Sequence, residues 1–254
     1  MNGGETPSLP PWEPPAGAVR PKPFWSYQDL VLLAGLALPV MVVSAMAVQL
    51  VSWMLPEDLM LPAAGVLAAQ FLAYTVWFLV LWGIIRLRYG NPFWHSLAWI
   101  QPDRGILRYA LLGPLLAIGV GMIGAVLRTP DIELPMMELM RDRLSLILVG
   151  AFAVSLGPLC EELAFRGFFL PLLAQSLGGA AGVLITSAVF ASLHGPQYAW
   201  NWQHLVLISA AGAAFGVVRL RTGSTSAATV MHATYNLTLF IGYLTHLEQI
   251  GAPW

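Results

Sequence analysis

The chain has 254 residues, 57% of them apolar and only 10% charged, with a mean hydropathy of +0.70. A soluble domain of this size carries about 25% charged residues, so too little polar material is present to coat a soluble globule. A net charge of −1 offers no basic footprint for nucleic acid, and the single cysteine, Cys160, forbids an internal disulfide.

In chain order, residues 1–28 come first, rich in proline (GGETPSLPPWEPPAGAVRPKP) and without the apolar core of a signal peptide. They read as a disordered or polyproline-like tail ahead of a single transmembrane domain, residues 29–254. Seven apolar segments follow, at about 30–54, 62–86, 106–127, 144–177, 179–195, 204–220 and 224–246. Unbroken apolar runs without alternation predict helices rather than barrel strands. The expected fold is therefore all-α, a polytopic transmembrane bundle of about seven spans. The fourth segment, 34 residues, would be about 50 Å long as one helix, and Gly157-Pro158 is the expected kink. Arg20 and Lys22, then Arg86, Arg88 and Arg104, then Arg219 and Arg221 form the purer basic clusters. The positive-inside rule then puts the N-terminus in the cytoplasm, and the compact, alanine-rich chain suggests a bacterial cytoplasmic membrane.

The stretch CEELAFRG raises the chemical question. Of thirteen acidic residues only Glu161 and Glu162 fall deep within a span. Charge at bilayer depth costs several kcal/mol and marks functional-site candidates. Arg166 lies four residues after Glu162, the spacing of a helical ion pair, so these two can neutralise each other. A buried ion cluster that fixes helix packing explains that pair equally well. Glu161 projects about 100° away and is left without a local partner.

His194 closes the fifth segment. In an antiparallel hairpin about Gly178-Gly179, Glu161 lies 17 residues before the turn and His194 15 after it. Both then stand about 23–26 Å from the turn, at one depth. Phe190, one turn earlier, can buttress the His194 ring. The last segment contributes His232 and Asn236 on one helix face. With a turn near Gly223 they rise about 14 and 20 Å, which brings Asn236 near the Glu161–His194 layer and leaves His232 about two turns lower. An interhelical hydrogen-bond pair used as packing glue is the plainer account of these two. Cys160, in apolar surroundings, is expected to be an inert thiol, and no HExxH is present.

Taken together, Glu161-Glu162-x-x-x-Arg166-Gly167, Phe190-x-x-x-His194 and His232-x-x-x-Asn236 resemble the CPBP family. That family includes CAAX prenyl endopeptidases and bacterial relatives tied to bacteriocin processing and self-immunity. The similarity covers about residues 144–240 and implies that the last four helices form a C-terminal catalytic core. It implies an intramembrane endopeptidase in which Glu161 and His194 activate a water and His232 and Asn236 hold the oxyanion. Glu162, Arg166 and Phe190 would support the site.

Elementary chemistry agrees in outline. A carboxylate and an imidazole can activate water, and imidazole and amide donors can hold an oxyanion. Glu161, His194 and His232 also match the His₂Glu ligation of catalytic zinc. Asparagine is a poor zinc ligand, so catalysis without a metal is favoured. The expected partners are the lipid bilayer and a membrane-associated protein or peptide, possibly prenylated. Two other readings are a non-catalytic immunity or scaffold protein and a proton-coupled transporter. The lack of repeated halves counts against the transporter.

Overall fold

A computed structural model describes residues 23–54, 62–132, 135–140 and 142–249. It is 83% helical with no strand among the described residues, so the chain is an all-α polytopic bundle. The order is α1 (Tyr27–Ser52), α2 (Pro62–Gly83), a π-helical turn (Ile84–Arg88), α3 (Phe93–Ser96), α4 (Leu107–Val126) and α5 (Pro135–Leu139). Then come α6 (Arg143–Val154), α7 (Leu156–Glu162), a second π-helical stretch (Leu163–Phe169) and α8 (Leu170–Leu177). Last are α9 (Gly179–Leu193), a 3₁₀ turn (Gly195–Tyr198), α10 (Trp202–Thr222) and α11 (Thr225–Gln249).

Every predicted apolar segment is helical. Five described helices are long and apolar enough to cross a membrane: Tyr27–Ser52, Ala63–Arg88, Leu107–Val126, Arg143–Leu177 and Trp202–Thr222. The fifth predicted segment is a shorter apolar helix, Gly179–Leu193. The seventh, α11, has the length, but Ser226, His232, Asn236 and five threonines make it more polar. The protein is an integral membrane protein.

Most of the predicted tail lies outside the described residues, as do Arg20, Lys22, the acidic Glu57–Asp58 loop, Glu133 and Arg141. Its last residues, 23–28, are among those described. Trp25 is buried, stacked on Phe168, and its indole N–H donates to the Phe168 carbonyl at 3.1 Å. Ser26 caps α1 through a reciprocal box with Asp29. Asp29 is fully buried, which only its partners make affordable: Arg88 Nη1 at 2.8 Å and the Tyr89 hydroxyl at 2.6 Å. Donation to that carboxylate raises the Tyr89 phenol above its ordinary pKa. This cluster ties the start of α1 to the end of α2.

The α8–α9 hairpin turns at Gly178, whose φ of +87° would strain a side-chain-bearing residue. Beyond the α10–α11 turn, Thr225 N–H donates to the Ala98 carbonyl and the Thr225 hydroxyl to that of Leu97. The Ser224 and Ser226 hydroxyls both donate to the Ile100 carbonyl. The start of α11 is thereby anchored to the loop after α3.

Candidate active site

The fourth span is not one helix. Pro158 has no N–H, and its ring would collide with the carbonyl four residues back, that of Val154. The chain breaks there: Ser155 sits at φ −129°, ψ −81°, and α7 restarts at Leu156. The kink predicted at Gly157-Pro158 is thus found, with the break at Ser155, just after the carbonyl that the ring would meet. Glu161 and Glu162 end α7, and the helix then widens into the π-helical stretch containing Arg166. Such widenings cluster at functional sites, because they re-aim side chains within a helix.

Glu162 and Arg166 are both fully buried. Arg166 Nη1 donates to Glu162 Oε1 at 2.8 Å, as the i, i+4 spacing predicts. Arg166 Nη2 donates to the Gly212 carbonyl at 2.6 Å. The rings of Phe165, Phe190 and Phe215 surround the guanidinium with centroids 5.8, 4.9 and 5.5 Å away. The same Glu162 oxygen accepts from His232 Nδ1 at 2.9 Å. The Glu162 carboxylate therefore joins α7 to α11, and Arg166 extends the link to α10.

That close approach requires a glycine at 212. A Cβ there would lie 3.2 Å from Arg166 Nη2 and 3.3 Å from the Phe190 ring. Gly212→Val is expected to cost about 1–3 kcal/mol of stability by overpacking, with Gly212→Ala milder. Thermal unfolding in detergent measures both, and an unchanged midpoint for the valine variant would contradict the packing described.

Glu161 is partly exposed. It lines a cavity of about 390 Å³ together with His194, His232, Asn236 and Phe190, and with Tyr235, Gln70 and Phe152. Its Oε2 stands 3.8 Å from His232 Nε2. The His232 ring stacks on Phe215 at 4.5 Å and meets the edge of Phe190 at 6.0 Å. With Nδ1–H given to Glu162, its Nε2 is the atom left to face Glu161. His194 Nδ1 is 2.8 Å from the Phe190 carbonyl. A carbonyl only accepts, so Nδ1 carries the hydrogen and Nε2 of the neutral ring is an acceptor. Phe190 also packs on the His194 ring at 4.6 Å, so it orients His194 through both backbone and ring. Asn236 Nδ2 donates to the Ala153 carbonyl at 2.8 Å, which leaves its second amide hydrogen available.

One sequence expectation is corrected. His232 is level with the two glutamates, not about two turns below them, as its contacts to both show. The depth arithmetic took straight, parallel helices. The π-helical stretch Leu163–Phe169, between Glu161 and the Gly178 turn, departs from the α-helical rise which that arithmetic used. Cys160 is also less enclosed than expected; it is partly exposed and lines a different, outer groove. Gly212 and Phe215 were missed by sequence reasoning. The signal was there, because Gly212-Ala213-Ala214-Phe215-Gly216 is a GxxxG spacing of the kind that allows close helix approach in membranes.

The donor types of Glu161, His194 and His232 suit zinc. Among the described residues, however, no three His, Cys, Asp or Glu side chains are drawn together as a metal set requires. His232 Nδ1 is already committed to Glu162.

Fold and site thus define a polytopic helical membrane protein with a glutamate–histidine cluster facing an intramembrane cavity. Residues 143–238 match the family model described as Rce1-like, type II CAAX prenyl endopeptidase Rce1-like. This is the family that the three motifs resemble, and the matched stretch contains all seven motif side chains named above. The similarity supports a CAAX-type intramembrane protease in general, and neither the scaffold nor the transporter reading. No curated protein and no solved structure matches the chain.

Proposed function

We propose that the protein is an intramembrane endopeptidase that hydrolyses a peptide bond of a membrane-associated substrate, with a prenylated, CAAX-like C-terminus the first candidate. One observation carries the reading: Glu161, His194, His232 and Asn236, from three separate stretches of helix, line one cavity inside the bundle. A water between Glu161 and His194 Nε2 attacks the peptide carbonyl and gives up a proton to this pair. The carbonyl oxygen, now carrying the charge, accepts from Asn236 Nδ2–H and from Nε2–H of a doubly protonated His232. The C–N bond then breaks as the pair returns the proton to the departing amine. Glu162, held by Arg166, orients His232 through its Nδ1. The reading places the N-terminus in the cytoplasm of a bacterial cell.

The proposal also takes catalysis to proceed without a metal. Purified protein is expected to keep its activity after chelation, with no stoichiometric zinc by elemental analysis. Activity lost to the chelator and restored by zinc would replace the metal-free scheme with a zinc one.

The functional test is substrate trapping. Membranes carrying Glu161→Gln are expected to accumulate intact a protein that the parent enzyme shortens, identified by comparing termini in the two membrane proteomes. Identical termini in both would defeat the proposal.

A further inference from the structure

Outside the catalytic cavity lies a second, larger recess of about 780 Å³, an open groove between α2 and α7. One wall is a stripe that runs from Phe71 through Phe78 and Trp82 on α2 to Arg86 in the π-helical turn after it. The facing wall includes Leu159 and Leu163. Phe71, Leu79 and Trp82 are more than a third exposed, so the groove faces outward, where the bilayer would surround it. From 71 to 86 the stripe is fifteen residues, about 22 Å, against about 15 Å for one leaflet of hydrocarbon. It is long enough for a whole acyl chain.

The two ends differ in chemistry. Toward Phe71 the walls are aromatic and aliphatic. The lining also includes Trp94 and His95 of α3, which packs against the π-helical turn that carries Arg86. Indole groups at one level are the signature of a membrane–water interface. Arg86 is exposed and, among the described residues, has no hydrogen-bond or ion-pair partner. Its neighbour Arg88 is committed to Asp29. A cation without a counter-charge at the interface end of an apolar groove favours an anion attached to a chain.

The geometry points to a specific site for an anionic phospholipid, its acyl chain along α2 and its phosphate on Arg86. A bulk zwitterionic lipid fits the walls equally well, but its own ammonium competes for the phosphate. A neutral isoprenoid chain leaves Arg86 without a counter-charge at the groove mouth. The ester carbonyls of a phospholipid can accept from the Trp94 indole or the His95 ring. The site is independent of proteolysis, since none of Arg86, Trp82 and Trp94 lines the catalytic cavity.

Tryptophan quenching in vesicles tests this with the full chain. Half-maximal quenching is expected at about fivefold lower mole fraction of brominated phosphatidylglycerol than of brominated phosphatidylcholine, the preference that one basic residue near an anionic surface confers. Arg86→Gln is expected to equalise the two lipids, and Arg86→Lys to keep the preference. Replacing Trp82 and Trp94 together by phenylalanine is expected to remove the preferential component. Matched unfolding midpoints establish that each variant is folded, which the exposure of Arg86 favours. Equal quenching by both lipids in the parent protein overturns the assignment. So does a preference that survives Arg86→Gln or the paired tryptophan replacement. Displacement of the brominated lipid by a farnesylated peptide, equally well with and without Arg86, assigns the groove to a neutral chain and also overturns it.

Discussion

Glu161→Gln is expected to lower the rate of cleavage by about 10²–10⁴-fold while the protein folds as before. The size follows from the proposed role: an amide cannot take the proton that an attacking water would lose. The selectivity follows from the surroundings. Glu161 is partly exposed to the cavity, and among the described residues its ion-pair contact is the 3.8 Å approach to His232 Nε2. Little of the fold depends on its charge, so the unfolding midpoint should barely move. Turnover of a peptide recovered by trapping, measured beside thermal unfolding of the same preparation, provides the check. Parental turnover in a folded Glu161→Gln protein would remove this carboxylate from the chemistry. Glu162→Gln should behave differently, because Glu162 is fully buried between Arg166 and His232. It should lose stability as well as activity.

Arg166→Met is expected to destabilise the protein by about 3–5 kcal/mol, the largest stability effect anticipated for a single substitution here. Methionine fills much of the same volume among Phe165, Phe190 and Phe215, so packing is roughly conserved. What is lost is the counter-charge to Glu162 and the donor to the Gly212 carbonyl. A carboxylate then stays buried with only His232 to stabilise it. Adding Glu162→Gln to Arg166→Met should recover part of the loss, since the uncompensated charge is gone. Denaturation of the four proteins of this cycle in detergent measures the coupling. Additive effects would show that the ion pair does not hold the helices together.

Much of this site was legible in the sequence because membrane insertion penalises buried charge heavily. Two adjacent glutamates and an arginine in an apolar run have few explanations, and the i, i+4 spacing specified which carboxylate pairs with Arg166. The helices were legible for the same reason: lipid leaves the backbone no option but to bond within its own segment. All-α class, segment order and the kink near Pro158 follow from rules that act within one stretch of chain.

What the sequence could not determine is how far each helix slides and widens against its neighbours. The level of His232 relative to the glutamates depends on the π-helical stretch after Glu162 and on how α11 lies against α7, both settled by packing rather than by composition. The joining of Glu162 to His232, and of Arg166 to the Gly212 carbonyl, spans 70 and 46 residues of chain. Local patterns indicate which side chains must avoid lipid. Only the assembled bundle decides which of them meet, because a contact of 2.9 Å is set by the relative placement of whole helices, to which no single helix's sequence is sensitive.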